Sequence, residues 1–248
     1  MTSPSPLPTA PAATPPGWLT VLGLSDPATG DWARVRGAQL EVLGRSHLVS
    51  LLSNLAVIAV LSITLFGSVP TPLLYIWMVC AGGITAMGSF RRFKNGAQVN
   101  ATATRNELLI EAMWATLVGA GWGTAMILFA PFASAPQLLL IWAILIAMMA
   151  GAAFVLSALP LATWGYMLSV GAPLASTMWA LGYPLVAAVA TLFTGCMMGA
   201  SFAAGRTFVT HEVAEDTLAE TNEVVSLLLR EFDDGGGDWM WQTDAAKC

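Results

Sequence analysis

The sequence is short of charge. Only 10% of its 248 residues are Asp, Glu, Lys or Arg, against 56% hydrophobic and a mean hydropathy of +0.69, whereas soluble domains carry about 25% charged residues. That scarcity excludes an ordinary water-soluble globule and implies an integral membrane protein. Histidine is scarcer still, with only His47 and His211. There is no Gly-rich phosphate loop, no H-E-x-x-H and no Ser-His-Asp order. The chain is therefore not expected to be an enzyme, and no catalytic residue, cofactor or metal is assigned. Cys80, Cys196 and Cys248 lie far apart and none belongs to a C-x-x-C pair, which removes a disulfide framework and a zinc site. They read as buried small hydrophobes plus one terminal thiol. Apart from Glu107 and Glu111, the apolar stretches lack the buried charges of ion-coupled transport.

The formal net charge of -5 arises in the last forty residues, where Glu212, Glu215, Asp216, Glu220, Glu223, Glu231, Asp233, Asp234, Asp238 and Asp244 cluster. That segment reads as water-facing, not as a nucleic-acid binder. At the other end, MTSPSPLPTAPAATPP has neither a basic start nor an apolar h-region, so no signal peptide is expected. A Pro-rich, disordered leader is expected over residues 1–30.

Between these ends lie six apolar stretches of about 20 residues, the length a hydrocarbon core requires. They are His47–Gly67, Thr71–Phe90, Glu107–Ala130, Gln137–Leu159, Leu161–Leu181 and Pro184–Gly205, punctuated by prolines at 70, 72, 131, 136, 160 and 184. The connection RRFKNGAQVNATATRN (91–106) is the one long loop. With six spans, all ten Lys and Arg fall on one side; the positive-inside rule makes that side the cytoplasm and places both termini there. Residues 31–46 carry Trp32, Val35, Leu40 and Leu43 on one helical face, as in an interfacial amphipathic helix. Residues 206–234 read as a cytoplasmic linker helix, with Leu218, Val225, Leu228 and Phe232 in a heptad broken at Thr221, neighboured by Asn222. This predicts a two-stranded coiled coil, and hence a homodimer through 206–232. Asp233 to Gly237 break the helix, and DWMWQTD alternates polar with apolar residues as a half-buried strand does.

Several residues carry two readings. Glu107 and Glu111 sit one turn apart at a helix start, where the helix dipole and Arg105 or Arg92 favour them; Glu111 is also a candidate proton- or ligand-responsive group, shallow enough to reach headgroup water. His211-Glu212 superficially matches the phospho-accepting helix of histidine kinases, but no Thr-Pro or Asn-Pro follows, and a solvated helix position is the simpler reading. His47 reads as an interfacial residue. Gly119-x-x-x-Gly123 and Gly195-x-x-x-Gly199, continued by Ala203, let helices approach closely; packing within the bundle is the reading adopted. Asn100-Ala101-Thr102 is a sequon with no meaning on a cytoplasmic face.

The whole resembles the front end of bacterial membrane signalling proteins of the GGDEF/EAL class, which make and degrade cyclic di-GMP, and of some hybrid histidine kinases. The resemblance is carried by VRGAQLEVLGR with Asn54, by VGAGWGTAMILFAP, by AGAAFVLSALPLATWGYMLSVGAPLA, and most specifically by EVVSLLLREFDDGGGDWMWQTDAAKC, which is similar to a linker and the first strand of a PAS domain. It implies a six-span sensor (47–205), a linker (206–234) and the start of a truncated PAS domain (235–248). Since a domain of that kind needs on the order of 100 residues, the output is expected to lie outside this chain, as in a sensor portion of a longer product or a truncated relative.

The expected fold class is therefore an all-α polytopic membrane protein, with six transmembrane helices, a cytoplasmic signalling helix and an orphan strand. The expected function is an input module of the bacterial inner membrane, surrounded by lipid. Gly195, Gly199, Leu218, Asn222, Val225 and Leu228 are the expected transmission residues. Glu111, Trp122, Trp142 and Trp164 are the candidate sensing positions. Rival readings are a transporter or channel subunit with Glu111 as its charged pore residue, and a non-catalytic docking partner using the acidic tail.

Overall fold

Proline and small polar residues mark the helix starts. The computed structural model describes residues 17–27, 30–96 and 102–234, and all regular structure among them is helical: α1 (Trp18–Val21), α2 (Trp32–Arg45), α3 (His47–Leu65), α4 (Thr71–Gly96), α5 (Arg105–Phe129), α6 (Ala135–Val155), α7 (Pro160–Ala180) and α8 (Pro184–Asp234). Pro160 and Pro184 occupy the first position of α7 and α8, where the missing N–H costs nothing. Thr104 and Glu107 form a reciprocal capping box at the start of α5, with the Thr104 N–H donating to Glu107 Oε2 at 2.7 Å. This gives Glu107 a structural role. The expected strand at 238–244 lies outside the described residues.

Five helices are long and apolar enough to cross a membrane: α3, α4, α5, α6 and the first part of α8. Their outward side chains are apolar, with Ile63, Phe154 and Leu185 among the most exposed. The remaining long helix, α7, has the 21 residues needed but is not in that set. Its position explains why. α7 is wedged between α5 and α8, and Ala162, Thr163, Met167, Val170 and Leu174 are fully buried. On the faces it turns to protein such a helix can carry Thr, Ser and Gly where a lipid-facing one carries Leu and Ile, and its outer face keeps Leu168 and Trp179.

Glycines set the spacing of this wedge. A Cβ at Gly119 would collide with Tyr166 and Ser169, and one at Gly123 with the Ser169 carbonyl and Pro173. Pro173 has no N–H to offer the carbonyl four residues before it, which is Ser169's own. The Ser169 carbonyl thus faces a position that only glycine can occupy. Gly165 meets Thr116 of α5, Gly171 meets Thr194 of α8, and Gly205 meets Pro160 at the start of α7. The Gly119/Gly123 pair packs within the bundle as expected. Gly195 and Gly199 do not: an added Cβ at either would meet nothing within 4 Å. The α7–α8 contact is made instead on a neighbouring face of α8, through Thr194 and Gly205.

Other expectations are also revised. Residues 17–27 fall in the expected disordered leader, yet Val21 and Leu22 are buried and Gly23, at φ +73°, turns the chain against Leu108. The apolar run WLTVL supplies the burial, and Asp26 then pairs with Arg36 at 2.6 Å. Residues 91–96, read as loop, continue α4 because Arg91 and Arg92 find a partner on α5. Cys80 and Cys196 are exposed on outer helix faces, not buried. The boundary placed between a sixth span and a linker at 205/206 is not a break; α8 runs 51 residues without interruption, about 75 Å at the α-helical rise.

Gly83 faces open space in α4, so it and Gly123 form a matched test. Gly83→Ala is expected to leave the apparent melting temperature in detergent unchanged or slightly raised, since alanine gains about 0.5–1 kcal/mol over glycine in a helix. Gly123→Ala is expected to lower stability by about 1–3 kcal/mol, because two backbones must separate.

Candidate functional site

One end of the bundle gathers the start of α3, the end of α4, the start of α5, the end of α6 and the start of α7. It is the basic end. Arg91 and Arg92, on the extension of α4, both donate to Glu111 on α5, Arg92 through Nε to Oε2 at 3.0 Å and Arg91 through Nη2 to Oε1. The Arg91 guanidinium carbon also lies 6.0 Å from the Trp114 ring centre. Glu111 is 5% exposed. It does not reach headgroup water as its sequence position suggested; the two arginines supply the charge compensation that burial of a carboxylate requires. Two guanidinium groups against one carboxylate leave the cluster with a net positive charge.

α2 lies across this end as a strap. The Gln39 side chain, buried, donates to the Ala158 carbonyl at 2.7 Å, Arg36 Nε donates to the Ala103 carbonyl at 3.0 Å, and the Ala103 N–H donates to the Ala33 carbonyl at 2.8 Å. Arg34 pairs with Asp216 of α8 at 2.8 Å. His47, beside Phe93, engages the Gly44 carbonyl through Nδ1 at 2.6 Å.

Beside the Glu111 cluster the helices line a partly open cavity of about 420 Å³. α3 contributes Val49 to Val57, α4 Thr85, Ser89 and Arg92, α5 Trp114 to Val118, α6 Ile144 to Leu156, and α7 Tyr166. Tyr166 is 4% exposed, and its hydroxyl has no hydrogen-bond partner among the described residues. Asn54, also on the wall, is satisfied: its Nδ2 donates to the Ser50 carbonyl and its Oδ1 accepts from Trp122 Nε1 at 2.7 Å.

The expected sensing residues therefore separate. Glu111 adjoins the cavity through Arg92. Trp122 is 1% exposed and packs edge-on against Trp77, ring centres 5.7 Å apart; it positions Asn54. Trp164 ties α7 to α8 by donating to the Met198 carbonyl at 3.0 Å. Trp142 of α6 packs against the core, and its buried Nε1 has no partner among the described residues. Of the expected transmission residues, Gly195, Gly199, Leu218, Asn222 and Val225 are all exposed along α8, and the side chain of Leu228 lies outside the described residues. His211 is exposed, 3.7 Å from Glu215, a solvated helix pair. Sequence reasoning missed Tyr166, Thr85 and Ser89. Thr85, Ser89 and Arg92 are spaced i, i+4, i+7 in a largely apolar helix, a polar stripe that could have signalled a wet face.

Removing the shared carboxylate leaves two half-buried cations without it, whereas removing one arginine leaves a complete pair. Glu111→Gln is expected to destabilise the protein by about 3–5 kcal/mol, and Arg91→Gln by less than half of that. Thermal unfolding of both purified variants checks the order. Compared with known proteins, the chain matches no family model, no curated protein and no solved structure.

Proposed function

We propose that the chain is the input module of a bacterial signal-transduction protein, embedded in the inner membrane by six spans. In this reading it relays a membrane-sensed state to a cytoplasmic output domain, of the kind that makes or degrades cyclic di-GMP. The observation that carries the proposal is α8: a single helix that begins inside the bundle, packs on α7 there, and continues through Asp234. Rigid, unbroken helices are the elements by which displacement in a membrane domain can reach a soluble one.

Two features support the details. Counting α7 as a span puts Arg34, Arg36, Arg45, Arg91, Arg92, Lys94, Arg105 and Arg206 on one side, which orients the basic end toward the cytoplasm. Beyond the bundle, Leu218, Val224, Val225, Leu227 and Leu229 are exposed on α8, apolar surface that in water calls for a partner helix. At about 100° per residue, Gly195, Gly199, Ala203, Leu218 and Val225 fall within one half of the helix circumference. A second copy of the chain could thus meet α8 along one face, closely in the membrane and by heptads outside it. The module itself is proposed as non-catalytic. The pore reading loses its free carboxylate, since Glu111 is held by two arginines.

Single cysteines introduced after Cys80, Cys196 and Cys248 are replaced by serine test the arrangement in membranes. Leu218→Cys and Val225→Cys are expected to give disulfide dimers, and Ala219→Cys and Glu223→Cys far fewer. Absence of dimers at all four positions, or equal yields at all four, would remove the dimeric relay.

A further inference from the structure

We propose that the cavity beside Arg92 binds a long-chain carboxylate, a single-chain amphiphile entering sideways from the lipid. This goes beyond the relay reading, because occupancy of the cavity does not depend on α8 forming a dimer.

The cavity has the polarity gradient of an amphiphile. Arg92, Ser89 and Ser50 supply its polar groups at the basic end, beside apolar Val49 and Phe154 at the mouth, and Val57, Val118, Ile144 and Met148 line it toward the middle of the bundle. It extends along α3 from Val49 to Val57 and along α6 from Ile144 to Leu156, the residue that caps it, hence about 12–18 Å along the helices. Val49 and Phe154 belong to its wall and are also strongly exposed. The opening therefore lies on the outer surface between α3 and α6, where an acyl chain can enter without crossing water. A volume of about 420 Å³ falls at the lower end of the roughly 300–1,000 Å³ of small-molecule pockets, which suits one chain.

The head-group chemistry follows from unused donors. Arg92 reaches Glu111 through Nε, so among the described residues its Nη groups remain as donors on a side chain that lines the cavity. The Tyr166 hydroxyl is buried in the wall with no protein partner among the described residues, and groups left so are rare in native structures. Two arginines against Glu111 leave one positive charge unmatched. A head carrying a single negative charge balances it, with Arg92 and Tyr166 both donating.

The test uses the full chain in phosphatidylcholine nanodiscs with a palmitate analogue carrying a diazirine near its chain end. Photolabel is expected on α3, α5 and α6 near Val57, Val118 and Ile144, with palmitate competing at least about tenfold better than hexadecanol, as a charge-assisted contact requires. Arg92→Gln is expected to weaken competition by about tenfold and Arg92→Lys by less. Tyr166→Phe is expected to weaken it by a smaller factor than Arg92→Gln. Gly151 also lines the cavity and has open space at its Cβ, so Gly151→Leu is expected to fold normally, elute as the wild type does, and lose the label. Label that persists in Gly151→Leu, or equal competition by acid and alcohol, would overturn the proposal. Competition by phosphatidylglycerol as strong as by palmitate would overturn the assignment to a free chain. None of these outcomes bears on cross-linking along α8, so the two proposals fail separately.

Discussion

The backbones of α5 and α7 come closer together than side chains would normally allow, and most of the molecule follows from that approach. Gly119 and Gly123 present no Cβ to Tyr166, Ser169 and Pro173, so α7 sinks into the bundle. Once there it has protein on both sides, α5 on one and α8 on the other. This explains how a helix with Thr163 and Ser169 can sit among far more apolar neighbours. The same depth puts Tyr166 in the cavity wall and leaves its hydroxyl without a partner among the described residues. Close packing and an unsatisfied donor have one cause.

Electrostatics complete the basic end. A carboxylate buried to the extent of Glu111 is tolerable only because two guanidinium groups converge on it, and they can converge only because α4 continues helical past Phe90 to bring Arg91 and Arg92 level with it. The 91–96 segment is therefore helical for a tertiary reason. Local propensity leaves that segment undecided, since Gly96 and Asn95 favour a break. The strap α2 closes the same end with bonds to Ala158 and Ala103, both in connections between helices, so the loops there are held by side chains from a segment far away in sequence.

Helix positions were legible because prolines punctuate apolar runs, and that signal is local. Pro160 and Pro184 act where the sequence placed them, and Glu107 sits in the first turn of α5 as expected. What the sequence did not disclose was which small residues face protein and which face outward. Gly119-x-x-x-Gly123 and Gly195-x-x-x-Gly199 are indistinguishable as patterns, yet one is packed and the other open; the difference lies in the partner helix, which no local pattern specifies. Glu111 was legible as a residue of interest and Arg92 as a partner, but the depth of the pair was not, because depth depends on the surrounding helices. The cavity was the least legible feature. Its wall draws on α3 through α7, and only the Thr85, Ser89, Arg92 stripe left a trace within one element.

The proposed relay makes a mechanical demand that can be examined against these contacts. A ligand held by Arg92 and Tyr166 would bear on α4 and α7 together, since Arg92 belongs to α4 and Tyr166 to α7. α7 cannot move independently of α8, because Gly171 is packed on Thr194, Trp164 is bonded to the Met198 carbonyl, and Pro160 is packed on Gly205. These three contacts lie between residues 160 and 171, the first half of α7, so a displacement of that half is transferred to α8 along the stretch from Thr194 to Gly205. Near the strap, Arg34 holds Asp216 through an ion pair with one largely exposed partner, an interaction that screening makes weak. The stiff coupling therefore lies inside the bundle and the yielding contact lies outside it. A helix held in that order can move at its far end while its packed end keeps register, which is what a relay through α8 requires.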